Sequence, residues 1–334
     1  MLSFKYLFEN PSLAKMLLEN WEYDPDSTQL FQYFRISANA IYPFKHHQQV
    51  CFLRFSPGEE KTTAQLQSEL EFLRYLHTNH YPALRAIPAK SGEEFIERQT
   101  PWGPYIASAF RRVSGTQLSD TGFEDYAMAA YGEALGRLHR LSSQFVPAGP
   151  RRWAHGDVLD WVEATLKDLK TGDLPLREAD LLREAFSRLP ISARNYGLIH
   201  YDFEPDNIFF DEQSGTCSVI DFDDAMVHWY AMDLTQALRS LRSEVSEEVY
   251  PRKEAQFLEG YRSQFEIEEE TWRAAPLFTR FAKLYQYARV AWAMREQWDN
   301  EPEWMQNLRA KLNGLLARNA EGFGQAIGQV KKFG

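Results

Sequence analysis

Three polar residues in the middle of the chain, Asp202, Asn207 and Asp221, have the types and spacing of a reaction centre. They lie in "LIHYDFEPDNIFFDEQSGTCSVIDFDDAMVHWYAMDL", where acidic side chains are set among runs of Ile, Val and Phe. Charge at that density belongs on a solvated surface and apolar runs belong in a core, so the combination needs a chemical reason. "NIFF" and "CSVIDF" read as short strands, and the turn-rich "DEQSG" between them makes a hairpin. Asp202 and Asn207 precede the first strand and Asp221 closes the second. A hairpin brings its outer ends together, so the three groups converge. Carboxylate and carboxamide oxygens are hard ligands of the kind magnesium takes, and a further carboxylate beside them can accept a proton.

The elements that must hold this hairpin fall into two textures. The first third is strand-rich: "YFRISANAIYPF" (33–44) and "VCFLRF" (50–55) carry β-branched and aromatic residues, and "KHHQQ" supplies a hairpin-like connection. "TTAQLQSELEFLRYL" then puts Leu66, Leu70 and Leu73 on one helical stripe behind a Thr cap. "EEFIERQT" and "PYIASAF" read as two more strands joined at Pro101, Gly103 and Pro104. After "RRVSG" the pattern turns helical. Met128, Tyr131, Leu135 and Leu138 recur at helical spacing, as do Leu159, Val162, Leu166 and Leu169, and a largely helical stretch runs from the hairpin to the C-terminus. The outline is an α+β protein with a small N-terminal sheet-plus-helix lobe (1–112) and a larger, mainly helical C-terminal lobe (113–334).

Composition narrows the class. With 334 residues, 44% hydrophobic and 14% aromatic, a sizeable core is available. No apolar run approaches the roughly 18 residues of a membrane span. The N-terminal "MLSFKYLFENPSLAKMLLENW" reads as an amphipathic helix and not a secretion signal, so a soluble cytoplasmic protein with no membrane partner is expected. A formal net charge of −10 argues against a nucleic-acid partner. Cys51 and Cys217 form no C-x-x-C pair and the histidines show no H-E-x-x-H spacing, which points away from a disulfide framework or zinc.

His200, Asp202 and Asn207 also spell H-x-D-x-x-x-x-N, the spacing of a kinase catalytic loop, and Asp221 follows on an apolar strand where a kinase carries its magnesium-binding Asp. In "LIHYDFEPDNIFF", "VIDFDDAMVHWYAMDL" and the upstream "LGRLHRL", the chain resembles the aminoglycoside phosphotransferase and choline kinase-like superfamily. The resemblance implies a two-lobed protein-kinase-like fold and ATP- and magnesium-dependent phosphorylation of a hydroxyl, usually on a small molecule. It implies Asp202 as the catalytic base, Asn207 and Asp221 as magnesium ligands, and Asp233 in "AMDL" as a helix-borne brace for the loop. His200 reads as structural support of the site.

On the nucleotide side, such folds need a cation on the third strand and an acidic partner on the next helix. Val50, Phe52 and Arg54 share one face of "VCFLRF", and Arg54 is its only charge. The helix offers Glu69 or Glu71, and Glu69 fits the family context. Arg in place of the usual Lys is a departure, since its fork is not a point charge. A second departure is the missing glycine-rich phosphate loop. "ISANAIYPF" occupies its place, with Ser37 and Asn39 as candidate phosphate contacts. "GFGQAIG" reads as a flexible tail.

Plainer readings compete at several positions. Glu204, Asp206 and Asp211 are simplest as solvated turn acids. Asp223 and Asp224 divide between a second metal or cationic substrate and a helix cap ahead of "AMVHWYAMDL". The aromatics of "LYQYARVAWAMREQW" line a pocket or pack a core, with the core favoured. Two further functions compete with a small-molecule kinase: a kinase acting on protein Ser/Thr, and a catalytically silent nucleotide-binding regulator. The absence of D-F-G and A-P-E signatures opposes the first, and the retained Asp202, Asn207 and Asp221 oppose the second.

Overall fold

The structure, a computed structural model, describes residues 2–326. Its first part is built on an antiparallel sheet. After a 3₁₀ turn at Phe4–Tyr6 come helix α1 (Pro11–Leu18), a 3₁₀ segment at Ser27–Tyr33 and strands β1 (Arg35–Ile36), β2 (Ala40–His46) and β3 (Gln49–Pro57). The single N-terminal helix expected from periodicity does not form. Pro11 has no N–H to continue one, and the Asn10 side chain instead caps α1 by accepting from Leu13 N at 2.9 Å. "YFRISANAIYPF" likewise breaks into β1 and β2 around Ser37–Asn39. The β2–β3 connection is a two-residue turn with positive φ at His47 (51°) and Gln48 (62°), the conformation that matches strand twist.

Helix α2 (Thr63–Thr78) starts at a reciprocal cap in which Thr62 Oγ1 accepts from Gln65 N and Gln65 Oε1 accepts from Thr62 N. Strands β4 (Ala86–Ile87), β5 (Phe95–Thr100) and β6 (Gly103–Arg111) complete the sheet, with β6 central between β3 and the β4/β5 edge. Alternation along β3 sends Cys51, Leu53 and Phe55 into a core with α1, and leaves Phe52 and Arg54 on the opposite, cavity face.

The larger part is mainly helical. It comprises β7 (Thr116–Gln117), α3 (Asp125–Ser142), α4 (His155–Asp168), α5 (Asp173–Phe186) and β8 (Tyr196–Ile199), then the hairpin β9 (Ile208–Asp211) and β10 (Thr216–Val219). Strand β11 (Met226–Trp229) and helices α6 (Tyr230–Glu244), α7 (Tyr250–Gln264), α8 (Glu269–Trp272), α9 (Ala275–Ala293) and α10 (Glu303–Ala320) follow. The expected hairpin is present, Ile208 pairing with Val219 and Asp211 with Thr216. One segment differs. The helix start ahead of "AMVHWYAMDL", one of two expectations for Asp223 and Asp224, does not form: "MVHW" pairs antiparallel with β8 and α6 begins only at Tyr230. A four-residue apolar run suits either state, and the open edge of β8 decides it.

Helices α3 and α7 touch through glycines. A Cβ at Gly132 or Gly260 would collide with the carbonyl of Phe257 or Ala129 respectively. That close approach seats His139 against Tyr261, which bears on the site below. Of the expected flexible tail, Phe323 is buried and Gly324 N donates to Glu178 at 3.0 Å, so this part is docked. Residues 327 and 328 of it lie outside the described residues.

Candidate active site

The site is built on one buried carboxylate. Asp233, in the first turn of α6, is fully buried, and its two oxygens accept the backbone N–H groups of His200 (2.8 Å) and Tyr201 (2.7 Å). His139 Nε2, held from behind by the Tyr261 hydroxyl at 2.8 Å, lies 3.1 Å from the same carboxylate. Tyr201 can therefore adopt φ 71°, a left-handed conformation that costs a non-glycine residue about 1 kcal/mol, because Asp233 holds its amide in place. The turn at Tyr201 presents Asp202 to the cavity. Tyr131 on α3 fastens the next residue, its hydroxyl donating to Phe203 O at 2.5 Å.

His200 ties this loop to the far end of the hairpin, with Nε2 2.9 Å from Ile220 O. The next residue, Asp221, is also left-handed at φ 64°. Asp202, Asn207 and Asp221 thus face one cavity, as the hairpin requires. The Asn207 amide N–H₂ donates to Asp202 O (2.9 Å) and Asp202 Oδ2 (3.2 Å). This fixes Asp202, leaves its Oδ1 free, and turns the Asn207 carbonyl oxygen away from the contact.

Both carboxylates are poorly compensated. Burial, then the charges of Glu204, Asp224 and Asp221, push the Asp202 carboxyl up to about 8. Burial raises Asp221 as well, against the attraction of Arg54. No hydrogen bond to the Asp221 carboxylate is formed among the described residues. A buried hard-oxygen donor in that condition, lining the same cavity as Asn207, would suit a divalent cation. No group of three or more His, Cys, Asp or Glu that could hold a metal ion by itself is found among the described residues.

Arg54 and Glu69 meet as expected, in a two-pronged pair with both bonds at 2.8 Å, buried under Phe110. Burial opposes ionisation of Glu69, but Arg54 and then Lys61 outweigh it and hold the carboxyl at about 2. Arg54 lines the cavity while Glu69 sits behind it. Ser37 lines the cavity too. Asn39 does not: its amide donates to Asp223 at 3.1 Å and accepts from Ser56 at 2.6 Å, so its side chain is committed to the wall.

Neither Asp223 nor Asp224 caps a helix. Asp223 is engaged by Lys61 and Asn39, and Asp224 pairs with Arg289 at 2.5 Å. Glu204 is no solvated turn acid either. It is half-buried on the cavity wall, and burial, then Asp206, raise its carboxyl. Lys61, Arg152, Arg289 and Gln236 went unread in the sequence. Lys61, Arg152 and Arg289 lie far along the chain from Asp223, the 222–225 carbonyls and Asp224 that they meet, and no periodicity or motif marks any of the four.

The cavity faced by Asp202, Asn207, Asp221, Arg54 and Ser37 measures about 820 Å³. It is lined by Ile41, Phe52 and Phe110 from the sheet and by Glu204, Gln236, Arg239, Gln286 and Leu312 from the helical part, and Asp202 and Asp221 face it as well.

Residues 38–266 match the model of the APH phosphotransferase enzyme family. The chain belongs to this family. It is 21% identical over 268 residues to the amicoumacin kinase of Bacillus subtilis (strain 168), covering 75% of this chain and 76% of that protein. It is 31% identical over 242 residues to a homoserine kinase of Beijerinckia indica subsp. indica, covering 69% of each. Among solved structures it is similar to an amicoumacin kinase in complex with AMP-PNP, Ca2+ and Ami (TM-score 0.76, 18% identity, 99% of this chain and 97% of that one). It is also similar to a microcompartment-associated aminopropanol kinase (TM-score 0.66, 20% identity, 94% and 97%). The fold is therefore the two-lobed kinase-like one, with a small sheet lobe and a larger helical lobe. As a member of the APH family the chain is an ATP-dependent phosphotransferase with an alcohol group as acceptor. No helix of the described residues is long and apolar enough to cross a membrane.

Proposed function

We propose that this phosphotransferase uses ATP with magnesium to phosphorylate a hydroxyl of a small, amine-bearing molecule, with Asp202 as the base. The lobes divide near residue 112, and the nucleotide occupies the end of the cavity beside Phe52 and Phe110. Asn207 and Asp221 would hold the metal, and Arg54, fixed by Glu69, would meet phosphate. Bound magnesium supplies neutralisation of phosphate charge.

The chain's own residues perform the positioning. Asn207 holds one oxygen of Asp202, so the free Oδ1 orients the acceptor hydroxyl and takes its proton. Tyr201 and Phe203 on either side are pinned by Asp233 and Tyr131, which limits drift of the base. The acceptor end carries Glu204 and Asp206, suited to an ammonium group. Relatives named for amicoumacin, homoserine and aminopropanol are consistent with an acceptor of this size class.

The single observation behind the reading is an under-compensated carboxylate, Asp202, facing the same cavity as Asp221 and Arg54. A small-molecule acceptor is favoured over a protein because only a 3₁₀ turn at Phe222–Asp224 separates Asp221 from β11, leaving no room for an activation segment. The test is a magnesium-ATP phosphotransfer screen over amino alcohols, hydroxy amino acids and aminoglycosides, with Asp202→Ala as control. Turnover on at least one acceptor, abolished in the variant, is expected. Nucleotide binding without turnover on any acceptor would favour the silent regulator.

A further inference from the structure

Arg152 sits in "GPRRWA" (149–154), the end of the connection between α3 and α4, outside the stretches that carry the family resemblance above. Its backbone neighbours are anchored: Trp153 O accepts from Val227 N at 2.8 Å, and Ala154 bridges to Val227. The side chain is buried and reaches back under the turn that follows Asp221. Nε donates to Ala225 O at 2.6 Å, and Nη2 donates to Phe222 O at 2.8 Å and Asp223 O at 2.5 Å. Nη1 donates to Gln65 O at 3.0 Å, on the helix that carries Glu69. Arg54, Arg280, Arg289 and Arg309 are each paired with a carboxylate. Arg152 instead directs its fork to four backbone carbonyls.

A buried guanidinium with no carboxylate in contact is an expensive way to satisfy four carbonyls, since neutral donors would do it at lower desolvation cost. What the charge adds here is position. The guanidinium holds the carbonyls of Phe222, Asp223 and Ala225, the turn that follows Asp221, and one rigid fork joins that turn to α2 through Gln65 O.

We propose that Arg152 is a positioning residue for the metal-nucleotide: it fixes the 221–225 turn, and so the Asp221 carboxylate, against the helix that carries Glu69. The inference rests on the reading of Asp221 as a metal ligand. Residues that orient a metal's ligands change metal affinity by about 10- to 100-fold when removed. Its loss should therefore weaken the metal-dependent part of nucleotide binding and leave the metal-free part.

The experiment titrates AMP-PNP by calorimetry, with and without magnesium, into wild type, Arg152→Met, Arg152→Lys and Arg280→Met. The last is a control, since Arg280 is a half-buried arginine that joins α9 to α5 through the buried Glu178, away from the cavity. In wild type magnesium strengthens binding. In Arg152→Met that enhancement falls at least about tenfold while metal-free binding stays within about threefold, and Arg152→Lys restores part of it. Arg280→Met lowers the melting temperature and keeps the enhancement. Amide exchange of residues 222–225 quickens in Arg152→Met alone. Full enhancement in Arg152→Met, or equal weakening with and without metal, overturns the inference. If Arg152→Met does not fold, full enhancement in Arg152→Lys with unchanged exchange at 222–225 overturns it, and a reduced enhancement supports it. No enhancement in wild type sinks the metal-ligand reading itself, a failure distinguishable from that of Arg152.

Discussion

Asp233 and Asp202 are both largely buried carboxylates, one α6 turn and one loop apart, and they are treated oppositely. Asp233 accepts two backbone N–H groups and faces His139, so its charge is satisfied on every side. Asp202 has one amide contact from Asn207 and three acidic neighbours, and its carboxyl is pushed up to about 8. The difference separates two jobs. A brace must be rigid, and full hydrogen bonding makes it so. A base must be ready to bind a proton, and a site left under-compensated by its own protein provides that at a cost in stability.

The comparison breaks most directly at turnover. Asp202→Ala is expected to reduce kcat by about 10³-fold or more with nucleotide affinity within a few-fold, read by steady-state kinetics and calorimetry. Asp233→Ala should act through the fold. It strands the amides of His200 and Tyr201 beside a buried His139, and denaturant melts should show a loss of about 3–5 kcal/mol.

Arg54→Met tests the nucleotide end. It leaves Glu69 buried with only Lys61 at 3.5 Å, so nucleotide binding should weaken about 10- to 100-fold and stability should fall by about 2 kcal/mol.

The smallest effect is the dependence of stability on pH. Burial and its acidic neighbours push the Asp202 carboxyl up to about 8 in the folded protein, above the ordinary 3.8. Between these values the folded state holds a proton that the unfolded chain releases, so this group's contribution falls as pH rises from about 4 to about 8. Buried neutral His139, His200 and His228 act in the other sense below pH 6.5, and Lys61, pushed down to about 7, does so above it. The difference between wild type and Asp202→Asn cancels these terms. It should grow by about 3–4 kcal/mol from pH 5 to pH 8 in favour of the variant, measured by chemical denaturation.

What the sequence made legible follows the range of each interaction. The hairpin at 208–219 and the cap at Thr62 rest on neighbours a few residues apart, and both were readable from pattern. The pair Arg54–Glu69 was readable because Arg54 is the only charge of its strand and the family resemblance favoured Glu69 over Glu71. β11 was not, since four apolar residues carry no period of their own and the edge of β8 chooses for them. The polar layer behind the site was the least legible. Lys61 meets Asp223, and Arg289 meets Asp224, across long stretches of chain with only tertiary packing to bring them together. Asn39 shows the same limit: its position was foreseeable, but Ser56 and Asp223, which take up its amide, were not.

The most direct test joins the two halves of the account in one protein, Asp202→Asn. Its turnover with magnesium-ATP and the best acceptor from the screen, and its melting temperature at pH 8 without ligands, are measured beside wild type. Opposite signs are predicted: turnover falls by about 10³-fold while the melting temperature rises. Retained turnover, or a variant that melts below wild type, would contradict the claim that Asp202 is a base held at the expense of stability.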